Sequence, residues 1–322
     1  MKRASFRLLA FVAAILFASC TGKDAEVGPY TVSTIGKGVY HIQDYNSDYP
    51  AGEVFDSEGK ITHFNNCSDM YLIVGKYKAL LIDLSNDIKW ADNAAESLRQ
   101  LVAERAEGKP LTITFTHNHG DHIGMIPAYA DDQEVRYALP ETDFAAFAGR
   151  FPEDRQSFIG EGHVFELGGQ NVEVISVPGH TDGSVVFYHT ESNILFTGDA
   201  IGSGHGVWIF NEKAFTRYIS AVPHLVAWLE NPENGADIGS LRVFGGHYWQ
   251  RDWLPELGKD EMGMPYIRDM EVLIDQMLKG TAATEPSGLD HRVLDTYFRH
   301  GSAIVVWNAA QAEQFRNAYQ EQ

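Results

Sequence analysis

Apolar positions along the chain fall into many short runs broken by Gly, Asn, Asp and Pro, with a few longer stretches of helical period between them. Residues 30–42 alternate and turn at Gly36-Lys37-Gly38, which predicts an opening hairpin. Residues 70–75 and 79–83 are almost wholly apolar, the pattern of strands covered on both faces. Asn86 then offers a cap for a helix that carries Ile88, Ala91, Ala94, Ala95, Leu98, Leu101 and Val102 on one face and stops at Gly108 before Pro110. A β-branched and aromatic strand over 111–115 follows, and residues 123–127 look like the start of a short helix. Further strands are predicted at 135–139, 164–167, 172–177, 185–188, 194–197 and 242–244, with a short helix over 141–149 and a long one from an Asn211 cap to Glu230, bent at Pro223. The C-terminal part reads as an amphipathic helix from Pro265 to its stop at Gly280, a hairpin over 292–298 and 302–307, and a helix from Ala309. Strands and helices alternate too irregularly for a doubly wound sheet, so the pattern predicts an α/β (α+β) chain of two sheets with helices outside.

Two segments break this pattern. Residues 43–69 are rich in Asp, Asn, Ser and Gly and include Tyr45, Tyr49, Phe55 and Phe64; they read as long loops or a hairpin, either a lid or a solvated insertion. The N-terminus has the three parts of an export signal: a basic stretch over 1–7, an apolar stretch over 8–17 that is too short to span a membrane as a mature helix, and then Ala18-Ser19-Cys20. Small residues directly before a cysteine resemble the bacterial lipobox, in which that cysteine is lipidated and becomes the new N-terminus. The expected organisation is a lipoprotein signal peptide over 1–19, a tether over 20–29, and one folded domain over 30–322, with core motifs at 70–249 and a C-terminal helix and hairpin at 255–322. The protein would then be exported and lipid-anchored through Cys20 to the envelope of a bacterium, at the outer membrane or the periplasmic face.

Composition narrows the partners. The 322 residues are 44% hydrophobic and 12% aromatic, enough to bury a sizeable core. The formal net charge is −19, and loss of the first nineteen residues, with Lys2, Arg3 and Arg7, takes it to −22. Such a surface repels polyanions and disfavours nucleic acid. Only two cysteines exist; with Cys20 lipidated, Cys67 has no partner, and it reads as a small packed residue.

Candidate chemistry gathers in Thr116-His117-Asn118-His119-Gly120-Asp121-His122, on the loop between a strand and the next helix. In extended backbone His117 and His119 project to one side and can grip one ion together. As the chain turns at Gly120, Asp121 and His122 can swing toward a second position. Imidazole and carboxylate together are the ligand set of zinc and its first-row neighbours. Three more strand ends carry a metal-capable residue beside glycine: Pro178-Gly179-His180-Thr181, Thr197-Gly198-Asp199 and Gly245-Gly246-His247. Strand ends meet at one edge of a sheet.

With these motifs the chain resembles the metallo-β-lactamase superfamily over roughly residues 30–249. The His-x-His-x-Asp-His stretch and the three later motifs stand in that family's order, and Asp83, ending a strand as Leu-Leu-Ile-Asp, matches its first acidic position. The resemblance implies a four-layer αββα sandwich with the site at the edge shared by the two sheets. It implies that His117, His119 and His180 bind one ion, that Asp121, His122 and His247 bind the other, and that Asp199 bridges them, with Asp83 behind the ligands. His41, His63, His163, His189, His224, His291 and His300 match no motif and are read as ordinary structural histidines.

The leading expectation is a dinuclear Zn2+ hydrolase with two ions per chain, in which a metal-bridging hydroxide attacks the carbonyl of a lactone, ester or amide-ring substrate and Asp121 orients that hydroxide and takes up its proton. Iron or manganese would suit the same ligands. His119 stands where oxygen-reducing di-iron members carry glutamate, and Asp199 where several β-lactamases carry cysteine or serine. Alternatives are a β-lactamase acting on β-lactams, an iron-dependent sulfur-dioxygenase-like enzyme and a non-catalytic binding lipoprotein. Tyr45, Tyr49 and Phe55, with Ile201, His205, Val207, Trp208 and Phe210, predict an apolar and aromatic lining for a small-molecule substrate, with His205 and Trp208 as the candidate contacts.

The export signal generates its own test. Cys20→Ser should release the protein from the membrane fraction of cells that make it; a variant still membrane-bound and normally processed would exclude lipidation at Cys20.

Overall fold

The protein was analysed as a computed structural model that describes residues 23–44, 54–55, 61–63, 68–89, 91–202, 206–247, 262–289 and 291–321. Strands β1 (Lys23–Val27), β2 (Tyr30–Gly36) and β3 (Val39–Asp44) form an antiparallel meander. The short β4 (Val54–Phe55) and β5 (Ile61–His63) pair with each other. β6 (Asp69–Val74) and β7 (Ala79–Ile82) extend the first sheet as an antiparallel hairpin. Helix α1 (Ala94–Ala106) crosses over to β8 (Leu111–Thr114), the one-turn α2 (Gly120–Ile123) precedes β9 (Arg136–Pro140), and α3 (Glu141–Phe144) with its 3-10 continuation leads to β10 (Gln156–Ile159). The first sheet has the order β1-β2-β3-β6-β7-β8-β9-β10, parallel from β7 onward.

The second sheet takes β11 (Val164–Glu166), β12 (Asn171–Ser176), β13 (Val185–His189) and β14 (Ile194–Gly198) in antiparallel sequence. The chain then forms β15 (Val207–Trp208) and α4 (Glu212–Glu230) and returns as β16 (Arg242–Gly245), parallel to β14. The remainder is α5 (Met264–Lys279), β17 (Ala283–Pro286), β18 (Thr296–His300), β19 (Ala303–Trp307) and α6 (Ala309–Gln320). β15 joins these late strands in a third sheet of order β15-β19-β18-β17.

Three apolar clusters define the layers. Ile73, Leu80, Ile82, Val174, Phe187, Phe196 and their neighbours lie between the two large sheets. Leu72, Leu81 and Ile113, on the outer face of the first sheet, pack against Leu98, Leu101 and Val102 of α1. Ile175, Val186, Leu195 and Val243, on the outer face of the second, pack against α4, α5 and Trp307 of β19. The predicted αββα order is the one found, and the third sheet is added beside it. Near-continuous apolar strands such as β7 and β13 have both faces covered for this reason.

Local chemistry accounts for most boundaries. Asn211 caps α4 by accepting the Ala214 N–H at 2.9 Å, and α4 continues through Pro223. Gly280 ends α5 in the left-handed conformation at φ 72°. Asn86 does not cap α1, which begins eight positions later after Asn93; the Asn86 amide and backbone N–H instead serve the buried Asp44 carboxylate. The expected tether over 20–29 is corrected for its second part: residues 23–27 are β1, an edge strand on β2, with Ala25 and Val27 packed on the first core. β10, β15 and β17 were not expected; each is short, and tertiary pairing forms it. The export signal, Cys20, Tyr45, Tyr49, Cys67 and His205 lie outside the described residues. Among the described residues no helix is long and apolar enough to cross a membrane.

Trp307 is fully buried, with its ring 4.9 Å from Phe215 of α4 and its Nε1–H donated to Gln311. Trp307→Ala should therefore cost about 3–5 kcal/mol of stability. Urea unfolding followed by circular dichroism would measure it; a loss below about 1 kcal/mol would separate the third sheet from the main core.

Candidate metal centre

All four motif loops leave the sheets at the same edge. β8 runs into His117, β12 into His180, β14 into Asp199 and β16 into His247. Asp121 and His122 are not on the approach to a helix, as the sequence suggests, but within α2, and Gly120 has an ordinary helical role there with open space around it. Glycine is required elsewhere. A Cβ on Gly246 would lie 2.6 Å from His122 Cε1, so only glycine lets the last loop pass beside the ligands. Gly198 adopts φ 48°, and a Cβ there would be driven into Thr116.

Two groups of side chains result, His117, His119 and His180 in one and Asp121, His122, Asp199 and His247 in the other, with the ligand atoms of each group within 4.8 Å of one another. In the first, His180 Nε2 is 2.9 Å from His119 Nδ1, and the His117 ring centroid lies 4.7 and 4.9 Å from those of His119 and His180. In the second, His247 Nε2 is 3.3 Å from both Asp121 Oδ2 and Asp199 Oδ2. Asp199 also reaches the first group, its Oδ2 lying 3.6 Å from His180 Nε2, while its Oδ1 is 3.5 Å from His122 Nε2.

A tetrahedral ion with bonds of about 2.0–2.1 Å holds neighbouring donors about 3.3 Å apart. The spacings of 2.9 to 3.6 Å match that edge length. His117 Nε2 is buried without a hydrogen-bond partner, a costly state for a polar atom that a metal bond would relieve. Both observations say that the donor set fits a first-row divalent ion in each group.

Electrostatics differ between the groups. Burial pushes the His117 ring well below its usual range and the His119 ring down to about 4, and it lowers His180 as well, so these three present neutral nitrogens. In the second group burial also acts against charge but is outweighed: the Asp199 and Asp121 carboxylates hold His122 and His247 well above the usual range, and those imidazoles hold the carboxylates well below theirs. The second group is thus a balanced set of charges, and a dication bound there would take the place of the imidazole protons.

Behind the ligands, Asp83 accepts the Thr116 N–H and Oγ1–H at 2.7 Å each and lies 3.0 Å from His122 Nδ1. It does so from a left-handed backbone, φ 64°, tolerable for Asp at the end of β7. A carboxylate on Nδ1 directs Nε2 toward the centre. Of the expected substrate contacts, Trp208 is half-buried and its carbonyl oxygen lies 3.1 Å from His180 Nδ1; His205 and the early aromatic residues Tyr45 and Tyr49 fall outside the described residues. Phe210 forms the wall, 5.8 and 5.6 Å from the His119 and His180 rings and 6.3 Å from His291. His291, which matches no motif, reaches this wall because the third sheet carries it there. Asp143, buried beneath the first group, was not expected either; as one acid in a short helix, it is distinguished by nothing in its spacing.

A family model described as the metallo-beta-lactamase superfamily matches residues 68–261. Among curated relatives, an "Atrochrysone carboxyl ACP thioesterase" from Claviceps purpurea is 25% identical over 217 residues, 67% of this chain and 61% of the relative. A hydroxyacylglutathione hydrolase from a Synechococcus strain is 33% identical over 141 residues, 40% of this chain and 51% of the relative. The chain thus spans about six-tenths and half of their lengths. Among solved structures, a metallo-beta-lactamase from Pontibacter korlensis superposes with a TM-score of 0.53 at 20% identity, covering 76% of this chain and 99% of its own, a likeness of fold.

The position of Asp199 between the groups sets a measurable expectation. Elemental analysis of purified protein should find close to two ions per chain, matching the two groups, and Asp199→Ala should lower that to one or fewer. An Asp199→Ala protein that keeps its full load would exclude a shared carboxylate.

Proposed function

The chain belongs to the metallo-beta-lactamase superfamily, and from that premise we propose that it is a metal-dependent hydrolase of acyl compounds whose centre holds two first-row ions, zinc first among them. The observation that carries the reading is the pair of adjoining donor groups with Asp199 between them. His117, His119 and His180 would hold one ion and Asp121, His122 and His247 the other, with Asp199 touching both. When bound, such a pair supplies a water of lowered pKa and a Lewis acid for the substrate's carbonyl oxygen.

The remaining work falls to the chain's own side chains. Asp121, partly open to the cleft at 17% side-chain exposure, is the carboxylate that can reach an attacking water. Its carboxylate can give one oxygen to the ion and accept on the other the hydrogen bond that orients the water, taking up the proton only in passing. Asp83 and the Trp208 carbonyl fix the rings of His122 and His180 through their Nδ1 atoms. Phe210 and Trp208, seated on Tyr297, Ile304 and Val306 of the third sheet and on Leu289 and Leu294 of the connection between β17 and β18, form one apolar side of the cleft.

That wall favours an uncharged, partly apolar acyl group, and the strongly acidic surface disfavours polyanions. Lactones, esters and amide rings suit it. The relatives' names, a thioesterase and an acylglutathione hydrolase, add thioesters to that range. A panel of these compounds with β-lactams and phosphodiesters, run on metal-loaded protein, tests the class: turnover is expected for acyl compounds and abolished by chelation, and a phosphodiester turned over far faster than every acyl compound would overturn it. Phe210→Ala should raise KM for aryl or long-chain acyl substrates about tenfold, the equivalent of about 1.4 kcal/mol of lost apolar contact, and leave acetyl substrates nearly unchanged.

A further inference from the structure

The two loops that carry the first group's histidines have no strand pairing with each other. His117 and His119 follow β8 in the first sheet; His180 follows β12 in the second. His119 Nδ1 and His180 Nε2 nevertheless stand 2.9 Å apart, close enough to share one ion. A third element spans the gap. Asp143 of α3 is 5% exposed, and its carboxylate accepts hydrogen bonds from both loops. Oδ2 accepts the Asn118 backbone N–H at 3.2 Å and the Thr181 hydroxyl at 2.7 Å; Oδ1 accepts the Gly183 N–H at 2.7 Å. The Asn118 side chain answers by donating Nδ2–H to the Asp143 backbone oxygen at 3.0 Å. Each loop is gripped one residue from its histidines, Asn118 between His117 and His119, and Thr181 directly after His180.

We propose that Asp143 is a positioning residue for the first metal group, holding the loop of His117 and His119 and the loop of His180 at the separation one ion requires. The role rests on the metal reading above and extends it to a residue that touches no ion.

The geometry calls for a carboxylate. Three donors converge on two oxygens, so both must accept; asparagine, nearly identical in size, would turn an NH2 group toward either the Gly183 N–H or the Asn118 N–H. One buried donor would then face another, and the loop carrying it would move. Nor can the contact be made from farther away. A Cβ on Gly183 would lie 2.6 Å from Asp143 N and 2.8 Å from its Oδ1, so α3 and the His180 loop are packed to the limit that glycine allows. The assignment also explains Asn118, the one residue between the first two histidines that is not a ligand.

Outer partners of metal ligands typically change affinity by about ten- to a hundredfold when removed. Co2+ titrated into metal-free protein, followed by calorimetry and by visible absorption, reads the two groups separately. Asp143→Asn should weaken uptake by the three-histidine group about ten- to a hundredfold and change its visible spectrum, while the Asp121, His122, Asp199 and His247 group keeps its affinity within about threefold. Thr181→Val, which removes one of the three donors to the Asp143 carboxylate together with the hydroxyl contact to Ser184, should produce a smaller loss in the same group and serves as the test if Asp143→Asn does not fold. Wild-type protein that takes up no Co2+ would overturn the metal reading and this role with it. Wild-type uptake with unchanged binding steps and spectra in the variants, or an equal loss in both groups, would overturn the positioning role alone.

Discussion

Backbone hydrogen bonds that cross between the two large sheets at one edge are the constraint on which the site depends. Val185 N–H at the start of β13 donates to the Thr116 oxygen beyond β8, and Asp69 N–H of β6 donates to the Gly246 oxygen beyond β16, at 2.9 and 2.8 Å. Gly246 N–H donates in turn to the Gly198 oxygen. The far end is tied as well, the Lys76 and Tyr77 N–H groups donating to the Gly168 and Leu167 oxygens, and between the ends the sheets meet largely through apolar side chains, whose packing is non-directional and tolerates small sliding, unlike the bonded site edge. At this edge the sliding is stopped, and the loops bearing His117, His180, Asp199 and His247 are brought into one register.

That stitching explains how so many ionisable groups can be buried together. Isolated, each would be expelled or neutralised. Here the carboxylates of the second group face imidazoles, and the outer acids Asp83 and Asp143 spend their acceptors on backbone and hydroxyl donors and, for Asp83, on His122 Nδ1. A ligand nitrogen left without a partner at the centre, His117 Nε2, is what a metal site requires and a purely structural cluster would avoid. The third sheet takes part in the same arrangement, since Trp208 of β15 offers its carbonyl to His180 while its side chain and Phe210 close one side of the cleft.

Much of this was legible in the sequence, because its signals are local. A run such as residues 79–82 announces a strand buried on both faces; Asn211 and Gly280 announce helix ends through their own side chain or lack of one. The seven metal-capable residues were readable because each sits within a short motif at a strand end, and the structure brings all seven together. The chain by itself therefore determined two sheets with helices outside and the seven candidate ligands, while their αββα order and their division between two ions were what the family resemblance implied.

Only the tertiary structure decided the rest. Asn86 looked like a helix cap, yet Asp44, distant in sequence, claims its donors. β1, β10, β15 and β17 exist because a neighbouring strand is present to pair with, which no local propensity records. Asp143 and His291 carry no motif; one lies under the ligands because α3 packs on two loops at once, and the other reaches the cleft wall because the third sheet folds back against β15. Pairwise distance across the fold, unlike strand period or capping chemistry, is set by how whole elements pack, and a linear pattern of residues does not encode it in any one place.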